Sequence, residues 1–138
     1  MQSRPVTIVT SIRFETAHRQ YGDVSKCGFL HGHNWRADIK IEAGRVGPLG
    51  YIVDFKDVKA CIREMDHKIL IFEGDPLIDD LLKHRQKVYQ MNSNPTCENL
   101  SQHILQLLIG VCCQVESLIN IHVRVWENEE SYAEVSLR

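Results

Sequence analysis

The chain has 138 residues, of which 43% are hydrophobic and 25% are charged, and this composition predicts a single globular domain spanning residues 1–138. Sixteen basic and eighteen acidic residues give a net charge of −2, and no long basic run is present, which argues against nucleic acid as a partner. No stretch approaches the roughly 20 apolar residues that span a bilayer, and the first five residues lack the apolar segment of a signal peptide. Five cysteines without a repeated spacing favour free thiols in a reducing cytoplasm over a disulfide framework.

The first predicted strand covers roughly residues 5–17, and its apolar face leads to a histidine. Successive side chains of a strand point to opposite faces. Apolar residues occupy the even positions of this strand, at Val6, Ile8, Ile12 and Phe14. His18 has the same parity, so it extends the apolar face if the strand continues that far.

The second predicted strand covers about residues 31–43 and begins with a His-x-His pair. Its apolar face carries Trp35, Ala37, Ile39 and Ile41. His31 and His33 extend that face and lie about 6–7 Å apart along the strand. With His18 they offer three neutral imidazoles and an open fourth position, which is the ligand set of a catalytic zinc site. From the residues alone, two alternatives stay open: hydrogen-bonded core histidines, and a closed structural site in which Cys27 is the fourth ligand.

The middle of the chain is predicted to contain short extended segments and helices. Residues 51–53 follow a glycine-rich turn and are expected to close a hairpin. Asp54 is a suitable N-cap for a helix over about residues 55–65. The pair Asp75-Pro76 is expected to start a short helix, and residues 88–91 are expected to form a short strand.

The end of the chain predicts a further helix, with Thr96 as its N-cap, and two strands at about 119–127 and 132–137. Glu127 has the apolar parity of the first of these strands, where a carboxylate is costly to bury unless it is paired. The alternative is that the strand ends earlier and Glu127 faces water. The order ββααββ predicts an α+β fold, with a four-stranded antiparallel sheet and two helices on one face. Two free sheet edges would favour assembly of several copies.

Six short motifs follow one another between residues 14 and 127. They are Phe14-Glu15-x-Ala17-His18, Cys27-x-x-x-His31-Gly32-His33, Val53-Asp54-Phe55, Asp66-His67, Pro95-Thr96-x-Glu98-Asn99 and Glu127. In this order the motifs resemble those of the 6-pyruvoyl-tetrahydropterin synthase family. The cysteine motif is most similar to that of the 6-carboxy-tetrahydropterin synthases of the queuosine pathway, because Leu30 stands where the pyruvoyl branch typically has glutamate.

The resemblance implies a T-fold, assembled as a homohexamer of two stacked trimers with active sites at subunit interfaces. The implied roles are zinc binding by His18, His31 and His33, acid–base catalysis by Cys27 with the dyad Asp66 and His67, and pterin binding by Glu127 and Thr96. The implied reaction converts 7,8-dihydroneopterin triphosphate to 6-carboxy-5,6,7,8-tetrahydropterin, acetaldehyde and triphosphate.

Two other functions stay open at this point. A 6-pyruvoyl-tetrahydropterin synthase acts on the same substrate by eliminating triphosphate, and a catalytically silent relative would bind zinc and pterin without turnover. The acidic run Asn128-Glu129-Glu130 departs from the family, which often has threonine after the anchoring glutamate. The candidates for binding the triphosphate are Lys26, Arg19 and Arg36.

Overall fold

The computed structural model of the protein describes residues 3–138, which form one six-stranded sheet and three α-helices. The strands are β1 (Val6–His18), β2 (His31–Ala43), β3 (Lys68–Phe72), β4 (Val88–Met91), β5 (Leu118–Trp126) and β6 (Tyr132–Ser136). The helices are α1 (Phe55–Arg63), α2 (Leu77–Lys83) and α3 (Cys97–Val111), and a single 3-10 turn covers Lys26–Gly28.

The predicted α+β fold is confirmed, but its four-stranded antiparallel sheet with two helices was an incomplete description. The strand order is β4-β3-β1-β2-β5-β6. The four strands of the predicted sheet, β1, β2, β5 and β6, pair antiparallel, whereas β3 runs parallel to the end of β1 and β4 runs parallel to β3. The short strand expected at residues 88–91 is confirmed as β4. Strand β3 comes from a short apolar run, Lys68-Ile69-Leu70-Ile71-Phe72, whose lack of periodicity does not distinguish a strand from a helix.

The prediction of an extended segment at residues 51–53 was wrong. These residues form no strand, and the N–H of Gly47 donates to the carbonyl of Tyr51 in a tight loop. A hairpin partner at this point would have to pair with β2, but β1 and β5 already occupy both edges of that strand. The loop therefore passes directly into α1.

The expected helix starts are confirmed by their caps. The Asp54 side chain accepts a hydrogen bond from the N–H of Lys56 at the start of α1, and the Thr96 hydroxyl accepts one from Asn99 at the start of α3. The predicted short helix after Asp75-Pro76 is α2. Within residues 3–138, none of the helices combines the length and the apolarity that crossing a bilayer requires.

The two faces of the sheet differ in what lies on them. The face packed against α1 and α3 is here called the covered face, and its large buried side chains Phe14, Trp35, Ile39 and Ile41 share one core with Leu100 and Leu108 of α3. The opposite face is called the open face, and it carries Arg13, Arg36, Asp38, Arg124 and Trp126. Because β1 and β2 pair without interruption from Val6↔Ala43 to His18↔His31, each residue's parity decides its face.

Candidate active site

Three histidines meet at the end of the covered face. His18 and His31 are direct cross-strand partners, and His33 lies opposite Thr16 on the same pair of strands. One ring nitrogen of each histidine lies within 4.8 Å of the others. The ring nitrogens of a tetrahedral zinc site lie about 3.3–3.4 Å apart, given zinc–nitrogen bonds of about 2.0–2.1 Å. The cluster therefore has the size that a single metal ion requires.

Backbone carbonyls fix the tautomers of two of these rings. His18 Nδ1 lies 2.7 Å from the carbonyl oxygen of Pro95, and His31 Nδ1 lies 2.7 Å from that of Phe29. A carbonyl only accepts hydrogen bonds, so each Nδ1 carries the proton and donates it. The two Nε2 atoms are then unprotonated and face each other at 3.0 Å. Two lone pairs at this separation repel each other unless a cation lies between them, so the donor set fits a metal ion.

Burial favours the neutral form of two of the three imidazoles. It lowers the pKa of His18 to about 4, against the opposing effect of the hydrogen bond to Pro95 and with the added repulsion of His31 and His33. Burial also lowers the pKa of His33, and the nearby carboxylate of Glu127 partly offsets the change. A neutral imidazole is the form that binds a metal, so the lowered pKa of both rings favours metal binding near neutral pH.

Glu127 lies directly beside the cluster. It follows the last residue of β5, and its N–H donates to the carbonyl of Ser131 in the β5–β6 turn. Its Oε1 lies 3.1 Å from His33 Nε2, although the geometry makes no hydrogen bond and leaves that buried nitrogen without one. A cleft of about 530 Å³ is lined by Gly32, His33 and Glu127 among others, so the carboxylate and the third imidazole border the same space.

Cys27 lies in the 3-10 turn that precedes β2. Its side chain is half-buried, and its carbonyl accepts a hydrogen bond from the N–H of Gln20. Gly28 fixes the path of this turn, since an added Cβ would overlap the carbonyl oxygen of Asp23. Among residues 3–138, the group of atoms close enough to share one metal ion contains the three histidines and does not extend to Cys27.

Asp66 and His67 lie side by side in the turn before β3, next to Glu15 of β1. Asp66 Oδ2 lies 3.1 Å from His67 Nδ1, and Asp66 Oδ1 accepts the N–H of Glu15 at 2.8 Å. That backbone hydrogen bond is the main reason why the pKa of Asp66 is lowered. His67 has a left-handed backbone (φ 59°) and a side chain that is 76% exposed, and its Nε2 lies 3.8 Å from the Glu15 carboxylate on the open face.

The structure thus brings four of the candidate residues into one cluster and leaves the others outside that cluster. His18, His31, His33 and Glu127 share one end of the covered face. Within the described part of the chain, no hydrogen bond or ion pair joins Cys27 to Asp66 or His67, although His67 and His33 line the same pocket of about 420 Å³. Thr96 sits close in sequence to Pro95, but its hydroxyl is engaged in capping α3.

The sequence did not reveal two structural supports of the cluster. One is the pair of backbone carbonyls that hold the histidines, which leave no trace in a pattern of side chains. The other is the ion pair of Arg19 with Asp75, whose side chain is fully buried. It ties the residue after His18 to the loop before α2. The sequence offered two signals for this ion pair, the Asp75-Pro76 pair and the position of Arg19 next to His18. Neither signal specifies a partner 56 residues away.

Comparison with known proteins places the chain among pterin enzymes. The profile of the family described as "6-pyruvoyl tetrahydropterin synthase" matches residues 7–137. Similar proteins named 6-carboxy-5,6,7,8-tetrahydropterin synthase include one from Rickettsia felis, 31% identical over 90% of this chain and 95% of the relative. A protein from Pyrococcus abyssi with the same name, given as putative, is 36% identical over 82% of this chain and 78% of the relative.

Solved structures share the fold along nearly the whole chain. An uncharacterized protein from Wolinella succinogenes superposes with a TM-score of 0.76 at 19% identity, covering 99% of this chain and 100% of the other. A 6-pyruvoyl tetrahydropterin synthase from Plasmodium vivax superposes with a TM-score of 0.71 at 18% identity, covering 97% and 98% of the two chains. At these identities the similarity establishes the T-fold.

Proposed function

Because the chain belongs to the 6-pyruvoyl tetrahydropterin synthase family, we propose that it is a zinc-dependent lyase of the carboxy type. It converts 7,8-dihydroneopterin triphosphate to 6-carboxy-5,6,7,8-tetrahydropterin, acetaldehyde and triphosphate, a step in the biosynthesis of queuosine and related 7-deazapurines. The observation that carries the proposal is the pair of unprotonated Nε2 atoms of His18 and His31, which face each other at 3.0 Å beside His33 and Glu127. Relatives with full-length similarity bear the name of this enzyme.

The three histidines would hold the zinc ion, and the cleft at Glu127 would receive the pterin. When bound, zinc acts as a Lewis acid that polarises and acidifies the substrate's side-chain hydroxyls. The carbonyls of Pro95 and Phe29 keep the Nε2 atoms of His18 and His31 free to bind the ion. A pterin presents a ring N–H and an amino group side by side, and the two oxygens of Glu127 accept both. Thr96 contributes its hydroxyl proton as a further polar contact.

Proton transfer falls to Cys27 and to the Asp66–His67 dyad. The Cys27 thiolate takes a proton from substrate carbon, and His67, oriented through Nδ1 by Asp66, exchanges the second proton. Within one protomer, His67 and His33 line the same pocket of about 420 Å³, and the His67 side chain is 76% exposed. In the homohexamer that the family resemblance implies, a second copy of the chain would border each site. The five free thiols of the chain fit a cytoplasmic enzyme.

Product analysis tests this proposal. Zinc-loaded protein is incubated with 7,8-dihydroneopterin triphosphate, and acetaldehyde is measured together with the pterin product. We expect one acetaldehyde for each 6-carboxy pterin formed. A 6-pyruvoyl product without acetaldehyde would assign the chain to the sister branch, and absence of both products from the zinc-loaded protein would leave a pterin-binding protein without turnover.

A further inference from the structure

Two arginines stand directly opposite each other on the open face. Arg13 of β1 and Arg36 of β2 are cross-strand partners, a placement that destabilises a sheet when both residues carry the same charge. Arg36 is partly neutralised by Asp38, with Nε 3.2 Å from Oδ1. Arg13 makes no ion pair with any residue in the range 3–138. The pair therefore leaves an uncompensated positive charge at a fixed place on the sheet.

The nearest carboxylate has little capacity left to neutralise this pair. Asp38 accepts hydrogen bonds from the Ser11 hydroxyl at 2.6 Å and from Trp126 Nε1 at 2.8 Å, in addition to its contact with Arg36. The Arg36 guanidinium lies over the Trp126 ring, 4.6 Å from its centroid, and its buried Nε has no hydrogen bond of acceptable geometry. Stacking and burial thus hold one arginine in place with donor capacity unused.

The arginine pair borders the cleft that contains Glu127. That cleft of about 530 Å³ is lined by Arg13 and Arg36 as well as by His33 and Glu127. Its position follows from the sheet, because β5 ends at Trp126 while β2 continues back to His31, which leaves the β2 edge open. Arg13 lies three residues from Thr16, the partner of His33, so the arginine pair is roughly 10 Å along the strand from the third histidine.

A second concavity continues from the pair across the open face. It has a volume of about 810 Å³, and Arg13 and Arg36 line it together with Arg63, Lys40 and Arg124. Of these, Arg124 is paired with Glu134. Two acidic side chains, Glu127 and Glu129, line the cleft of about 530 Å³ on the other side of the arginine pair. A ligand with one neutral, hydrogen-bonding end and one strongly anionic end would be oriented by this gradient of charge.

We propose that Arg13 and Arg36, with Arg63 at the rim, bind the triphosphate of the pterin substrate. This proposal rests on the proposed function, and it names the part of the site that recognises the charged tail. Guanidinium groups present paired donors that match phosphate oxygens. Arg19, the other arginine considered for this role, is unsuited because its guanidinium is already bonded to the buried carboxylate of Asp75.

Binding of inorganic triphosphate to the zinc-loaded protein, measured by titration calorimetry, is the first test. We expect Arg13→Gln to weaken this binding about ten-fold, the effect of losing one charge-assisted contact. Arg13→Lys should recover part of it. Arg45→Gln is the matched control, since it removes the same charge from an exposed arginine whose partner is Glu116. Absence of binding to the wild-type protein, or an equal loss in Arg45→Gln, would overturn the proposal.

Two further measurements distinguish recognition of the triphosphate from recognition of the pterin ring. Arg13→Gln should raise KM for 7,8-dihydroneopterin triphosphate about ten-fold, with a much smaller change in kcat. The affinity for 7,8-dihydroneopterin, which lacks phosphate, should stay as in the wild-type protein. If only inorganic triphosphate depends on Arg13 while KM does not, the pair binds free oligophosphate and the proposal is wrong. If no pterin product forms yet triphosphate binding requires Arg13, the anion site stands and the lyase function fails.

Discussion

The covered and open faces of the sheet are built by the same strands, yet they carry different chemistry. On the covered face, apolar burial surrounds three histidines and keeps His18 neutral, with a pKa of about 4. On the open face, Arg36 and Arg124 are held by the Trp126 ring and by the carboxylates of Asp38 and Glu134. Burial favours uncharged nitrogen ligands, whereas contact with water tolerates permanent charge.

This difference shows how one alternating pattern provides two kinds of binding group. Along β1, Arg13 and Thr16 are three residues apart and point to opposite faces. Each face also has one tryptophan whose indole N–H donates to a side chain: Trp35 to Thr16, and Trp126 to Asp38. The proposed reaction needs both kinds of group, a metal-binding set for the side-chain hydroxyls and a cationic set for the triphosphate.

The largest expected effect comes from removing one histidine of the covered face. His31→Ala should abolish stoichiometric zinc binding and lower turnover by more than about 100-fold, because two imidazoles do not complete the ligand set. Metal content of the purified protein, measured by plasma mass spectrometry, checks this. His122→Ala changes a histidine of the open face and should leave the metal content intact; an equal loss there would contradict the assignment of the metal to the covered face.

Cys27→Ala should separate metal binding from catalysis. We expect zinc content to remain at the wild-type level while turnover falls by about 10²–10⁴-fold, the usual contribution of a general acid–base group. Metal analysis and the acetaldehyde assay on the same preparation give both values. Cys113→Ala, at an exposed cysteine in the turn after α3, is the control and should alter neither. Loss of zinc in Cys27→Ala would make this residue a fourth ligand instead.

The ion pair between Arg19 and Asp75 ties the residue after His18 to the loop before α2. Asp75→Asn tests what this ion pair contributes to stability, because it leaves Arg19 without its buried partner. We expect the free energy of unfolding to fall by about 3 kcal/mol at pH 7. The hydrogen bond from Arg19 holds the pKa of Asp75 below its ordinary value of 3.8, so this stabilisation exists above pH 3.8 and is lost as the pH falls further.

Urea titrations at pH 7 and at successively lower pH measure this dependence. The difference between the wild-type protein and Asp75→Asn should be constant near neutrality and shrink below about pH 4. Asp79→Asn, an exposed aspartate in the first turn of α2, is the matched control. A difference that persists unchanged at acidic pH would show that packing, and not the ion pair, accounts for the effect.

The smallest expected effects compare the two tryptophans. Trp35→Phe leaves the buried Thr16 hydroxyl without its donor and should cost about 2 kcal/mol. Trp126→Phe removes one of several donors to Asp38 at a half-exposed site and should cost about 0.5 kcal/mol. Thermal and urea unfolding of both variants give the comparison. Equal losses in the free energy of unfolding would mean that water is excluded from the Trp126 site as fully as from the Trp35 site.

Much of this protein is determined locally, and the sequence predicts those parts. Alternation along β1 and β2 placed His18, His31 and His33 on the apolar face, because a strand's side chains alternate whatever the strand packs against. The caps at Asp54 and Thr96 were predictable for the same reason, since each side chain bonds to its own helix within three residues. The motifs around these positions also indicated the family.

Long-range pairing was decided only by the tertiary structure. Strand β3 pairs with the end of β1 across some fifty residues of sequence, and its parallel orientation leaves no periodic signal. The loop at residues 51–53 is irregular because both edges of β2 are taken. Likewise, the sequence could propose Asp66 and His67 as a dyad, but only the pairing of β3 with β1 brings His67 next to Glu15 and into the pocket that His33 lines. Contacts between distant segments depend on which edges and faces remain free, and this is fixed once the whole sheet has formed.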